Sequence, residues 1–111
     1  MKIHDIKSSM PTVFVAMTML ENAIRFSKGK ERIIKIIHGY GSTGKGGAIK
    51  TATLEFLHDK KQKGEILTFI PGEALWTPMG YDEDITKYKQ LLQSDSDYKK
   101  GNDRITYVIF K

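Results

Sequence analysis

The chain has no cysteine, so neither a disulfide framework nor a thiolate metal site is open to it, and a reducing compartment is the expected setting. No apolar run approaches the roughly 20 residues that a bilayer-crossing helix needs, and the first residues carry no signal-peptide stretch. Histidine is limited to His4, His38 and His58, which share no ligand spacing, so no resident metal is expected. There is no internal repeat and no low-complexity tract. These absences leave a single cytoplasmic domain over residues 1–111, with no membrane partner, long enough to bury a core without staples.

Acidic residues are the scarcer charge. The formal net charge is +5 and the sequence pI about 9.4, in the range of nucleic-acid binders. The imbalance is local: residues 1–64 hold twelve Lys and Arg against five Asp and Glu, whereas residues 65–111 hold six against eight. Charge by itself is equally compatible with lysines that only keep a small protein in solution.

Apolar periodicity gives the elements. Lys2–Lys7 reads as a short extended segment. Thr12 is an N-cap, and Val13, Ala16, Met17, Leu20, Ala23 and Ile24 follow at helical spacing as one core face to about Phe26. Arg32–Ile37 is a strand, apolar on both faces apart from Lys35 and therefore expected inside its sheet. A second helix is predicted from about Ala48 to Lys61, with Ile49, Ala52, Phe56 and Leu57 inward, and a strand over Ile66–Ile70. A short helix near Asp82–Leu92 opens on the acidic turn Asp82-Glu83-Asp84, and Arg104–Phe110 is the last strand. The order βαβαβ(α)β predicts an α/β (α+β) fold, a two-layer sandwich of helices on a four-stranded mixed sheet.

Between the second strand and the second helix lies His38-Gly39-Tyr40-Gly41-Ser42-Thr43-Gly44-Lys45-Gly46-Gly47, with five glycines. A strand, a glycine loop and a helix N-terminus in that order make an anion site, because glycine lets amides approach a ligand closely and the helix dipole favours negative charge. Gly39-x-Gly41-x-x-Gly44 spells the dinucleotide fingerprint, but Asp59, twenty residues on, falls within a helix rather than at a strand end. Gly39-x-x-x-x-Gly44-Lys45 spells most of a Walker A loop, but Gly46 stands where a hydroxyl should hold Mg²⁺. No nucleotide cofactor is therefore expected, and the backbone of a polynucleotide is the fitting phosphate source.

His38-Gly39-x-Gly41 at a strand end, the glycines and lysine that follow, and a closing Gly101-x-x-x-Ile105-Thr106-x-Val108 strand resemble the Smr (small MutS-related) domain family. Phe69-Ile70-Pro71-Gly72-Glu73 is similar to a stretch found in its stand-alone bacterial members. The resemblance implies a fold like the C-terminal domain of translation initiation factor three. It also implies binding of DNA or RNA and, in many members, endonuclease cleavage, with the ribosome or repair proteins as further partners. Such domains usually open with Leu-Asp-Leu-His-Gly, whose Asp and His are implicated in cleavage. The matching stretch here is Asp5-Ile6-Lys7-Ser8: Asp5 fits the acid position, but Lys7 replaces the histidine.

Two outcomes stay open from the sequence. In the first, Asp5, Lys7 and His38 are catalytic, moving protons at the scissile phosphodiester while loop amides and Lys45 stabilise its oxygens, and any Mg²⁺ arrives with the substrate phosphate. In the second, the module binds without cutting, and His38 is a hydrogen-bonded histidine at a strand end. The phosphate contacts expected in both are Gly39, Tyr40, Gly41, Ser42, Thr43, Gly44, Lys45, Gly46, Gly47 and Lys50. Tyr40 is the best placed ring to stack on an unpaired base, while Trp76 and Tyr81 are expected to anchor their loop on the core.

Overall fold

Strand β1 (Lys2–Asp5) ends where Asp5 turns its carboxylate on the chain that follows. Its Oδ1 accepts the amides of Lys7 and Ser8 at 2.9 Å each, and its Oδ2 accepts the Ser8 hydroxyl at 2.6 Å. A continuing strand would need those amides for its ladder, so the extended segment stops two residues before the predicted Lys7. The computed structural model describes residues 1–9, 11–39, 45–77 and 80–111.

Helix α1 (Val13–Ser27) starts at the predicted cap, with Thr12 Oγ1 accepting the Val15 amide at 3.1 Å. Ala16, Leu20, Ala23, Ile24 and Ser27 are buried, while Val13 and Met17 pack at the margin. Strand β2 (Ile33–Ile37) follows, and helix α2 (Lys45–Gln62) begins three residues before the apolar pattern that first marks it. Gly46 and Gly47 bring no apolar side chain to that pattern, and first-turn amides need no partner four residues back. Strand β3 (Thr68–Pro71) lies slightly later than predicted. The helix expected over 82–92 is two pieces, α3 (Asp82–Lys87) and α4 (Lys89–Leu92), divided at the buried Tyr88. Strand β4 (Ile105–Ile109) closes the fold.

The sheet is four-stranded and mixed, in the order β1-β2-β4-β3. β1 and β2 are parallel, and β4 runs antiparallel to both β2 and β3. β2 is interior, as its apolar run requires. β3 is at an edge, which is where a strand tolerates Pro71. Ile34, Ile36, Phe69, Val108 and Phe110 meet α1 and α2 on one face, giving the two-layer α/β sandwich. On the other face Ile33, Ile70, Ile105, Tyr107 and Ile109 lie under Tyr88 and Leu92. The radius of gyration, 12.9 Å, is that of one packed body at this chain length. Among the described residues no helix is long and apolar enough to cross a membrane.

Lys35, the polar exception in β2, is 4 % exposed. Its Nζ donates to Asp97 Oδ2 at 2.7 Å and to Asp95 at 3.0 and 3.1 Å, and the Tyr107 hydroxyl donates to Asp95 Oδ2 at 2.7 Å. Burial opposes the lysine's charge, but the two carboxylates outweigh it and hold the ammonium above its ordinary value. Burial likewise pushes Asp95 and Asp97 up, yet the hydrogen bonds from Tyr107, Lys35 and Asn102 leave both carboxyls below theirs. The acidic turn before β4 is thus fastened to the sheet by charge.

Trp76 departs from expectation. It is 67 % exposed and stands over Gly101, its Nε1–H donating to the Lys99 carbonyl, so a turn rather than the core receives it. Tyr81 does reach the core, edge-on to Phe69 with ring centroids 6.1 Å apart.

Candidate nucleic-acid interface

Strand directions place the C-terminal ends of β1, β2 and β3, the N-terminal end of β4 and the start of α2 along one rim of the sheet. Open α/β sheets use this rim for ligands. His38 directly follows β2 there, fully buried. Its Nδ1 lies 2.8 Å from the Gly39 carbonyl and its Nε2 2.8 Å from Thr106 Oγ1. A carbonyl only accepts, so Nδ1 carries the proton and the threonine hydroxyl donates to Nε2. Burial, with the Lys50 charge adding to it, outweighs the Gly39 carbonyl and the acids Glu73 and Asp103, and holds the imidazole below its ordinary pKa. His38 is therefore a neutral ring with both nitrogens engaged.

The next residue needs glycine. Gly39 has φ +75°, and a Cβ there would fall 2.7 Å from Lys7 Cδ. The aliphatic stem of Lys7 therefore lies across Gly39, next to His38. Asp5 stands at the same rim, its Cα opposite Ile37. Burial raises its carboxyl, but the Ser8 hydroxyl and the Lys7 and Ser8 amides outweigh that and lower it. Asp5 is an ionised turn cap, not a proton carrier poised near neutrality.

Lys50, one turn into α2, is directed inward. Its Nζ lies 2.5 Å from Glu73 Oε2 and 2.9 Å from the Asp103 carbonyl. Glu73 reaches it because Gly72 lets the end of β3 pass under the Asn102 carbonyl, 1.9 Å from where a Cβ would sit. Lys50, expected as a phosphate contact, forms an internal ion pair that ties α2 to the β3 and β4 ends.

Of the remaining expected contacts, Tyr40, Gly41, Ser42, Thr43 and Gly44 lie outside the described residues. Lys45, Gly46 and Gly47 form the first turn of α2. That turn carries no acidic residue, whereas α3 has Asp82, Glu83 and Asp84 in its own.

Sequence reading missed four members of the rim: Glu73, Asp103, Arg104 and Thr106. The Arg104 carbonyl accepts the amides of both His38 and Gly39 at 3.1 Å, and its side chain is exposed beside them. Glu73 and Thr106 stand in the two motifs quoted above without a role assigned to them, and the signal for Asp103 and Arg104 was topological, since an antiparallel β4 next to β2 brings residues 103–106 to the end of β2. No family model matches the chain, and no curated protein or solved structure matches it.

Proposed function

We propose that this chain is a nucleic-acid-binding domain of the Smr type, which docks the phosphate backbone of DNA or RNA at the rim between His38 and Gly47. One observation carries the reading: a glycine-rich connection leaves the end of an interior strand and enters a helix whose first turn holds no acid, beside Lys7 and Arg104. Backbone amides and a helix dipole favour phosphate whatever the base sequence. The basic excess of residues 1–64 supports the same partner.

The rim supports binding better than cutting. His38 is buried and satisfied, Asp5 is committed to its turn, and Lys7 occupies the position of the usual histidine. A second reading, endonuclease cleavage, draws on the convergence of Asp5, Lys7 and His38 at that rim. A nuclease assay on supercoiled DNA and structured RNA, with and without Mg²⁺, separates the two. Cleavage abolished by His38→Ala in a folded protein would establish the enzyme; intact substrate beside measurable binding is the expected result.

Binding is tested by titrating a labelled oligonucleotide at several salt concentrations. Affinity should fall steeply as ionic strength rises, and Lys45→Ala should reduce the logarithmic salt slope by about 1. An affinity indifferent to salt would end the phosphate-docking account.

A further inference from the structure

Among the described residues β1 pairs with β2 alone, so one side of the strand is open. The Ile6 amide donates to the Ile37 carbonyl at 3.0 Å. By the alternation of a parallel ladder, the N–H and C=O groups of Ile3 and Asp5 then face the open side. Such groups are what an added strand takes up.

The helix beside that edge is unusually apolar toward solvent. Val15, Met19, Asn22 and Phe26 fall on one stripe of α1, and the three apolar members are 45 %, 37 % and 64 % exposed. A groove between strand and helix is lined by His4, Met19, Asn22, Ala23 and Phe26. Toward Lys2, at the end of β1 away from the glycine loop, it continues into a pocket walled by Lys2, His4, Ser27, Lys30 and Glu31. Two buried polar atoms there, His4 Nε2 and Ser27 Oγ, have no hydrogen-bond partner among the described residues, and Ser27 is 1 % exposed. A buried polar atom without a partner is costly, so the pocket is incomplete as it stands. Lys2 and Lys30 wall the pocket against the single acid Glu31.

We infer that the β1 edge receives an extended acidic peptide segment of another protein. It adds a strand to the sheet beside Ile3 and Asp5 and lays its apolar side chains on Met19 and Phe26. A carboxylate of that segment sits between Lys2 and Lys30, at the mouth of the pocket above Ser27 and His4. A polynucleotide would answer the cations but not the unpaired strand amides, which is why a peptide fits better. The surface runs from Asp5, which it shares with the glycine-loop rim, toward the opposite end of β1.

Isotope-labelled protein titrated with a synthetic alternating Glu-Val peptide of about eight residues, the length of an ordinary strand, tests this. Saturable amide shifts are expected at Ile3, Asp5 and Ala23–Ser27. A peptide N-methylated at alternate amides, and a Lys-Val peptide of the same length, should leave them unmoved. Ile3→Pro, which deletes an outward amide and no β2 bond, should abolish binding, and Lys2→Glu with Lys30→Glu should weaken it about tenfold. No shift at about 1 mM Glu-Val peptide would overturn the inference. So would undiminished binding of the N-methylated peptide, or an oligonucleotide displacing the peptide from these residues.

Discussion

At the scale of single residues, His38 and Lys35 show how burial changes what a side chain can do. The sequence marks His38 as a group able to titrate near neutrality, and only the fold supplies Thr106, 68 positions away, as the partner that holds it neutral. Its pKa is lowered, so the unfolded chain binds its proton more readily. The stability His38 contributes is therefore present above about pH 6.5 and is lost as acid protonates the ring. Thr106→Val leaves Nε2 buried without a donor and should cost about 1–2 kcal/mol in denaturant unfolding. Lys35→Met leaves Asp95 and Asp97 mutually repelling beside the sheet and should cost about 3 kcal/mol. Both carboxyls sit below their ordinary pKa, so their pairing is worth most above about pH 4 and fades as pH falls through the folded values. The Lys35→Met deficit should accordingly shrink on acidification; a deficit constant from neutral pH downward would contradict the charge explanation.

At the scale of elements, the regular pieces were legible because each writes a period into the sequence. α1 could be read from Thr12 to Phe26, and the interior position of β2 from its uninterrupted isoleucines. Boundaries were legible only where a side chain enforces them. Asp5 ends β1 through bonds to Lys7 and Ser8 that strand alternation does not anticipate, and Tyr88 divides α3 from α4 by burying its ring. The glycine loop was recognisable by composition, yet its dependence on Lys7 required the parallel pairing of β1 and β2. Gly39→Ala tests that dependence. It forces a Cβ into left-handed backbone and against Lys7, and should cost about 1–2 kcal/mol. Nucleic-acid affinity should fall with it if the turn after His38 aims the loop. Full affinity in a destabilised Gly39→Ala protein would separate the loop from the binding role.

At the scale of the molecule, charge and topology point to the same rim. The chain's basic excess lies in the part that contains the first three rim segments, while Asp95, Asp97 and Glu73 of the acidic half pair with Lys35 and Lys50. On the proposed reading, Lys7, Arg104 and the start of α2 are the groups that meet the phosphates. The most direct measurement is amide chemical-shift mapping with a short oligonucleotide at low salt. Shifts should concentrate at Lys7, Gly39, Lys45–Ala48 and Arg104, and should reverse as salt is raised. Shifts gathered elsewhere on the surface, with these amides unmoved at saturation, would contradict the account.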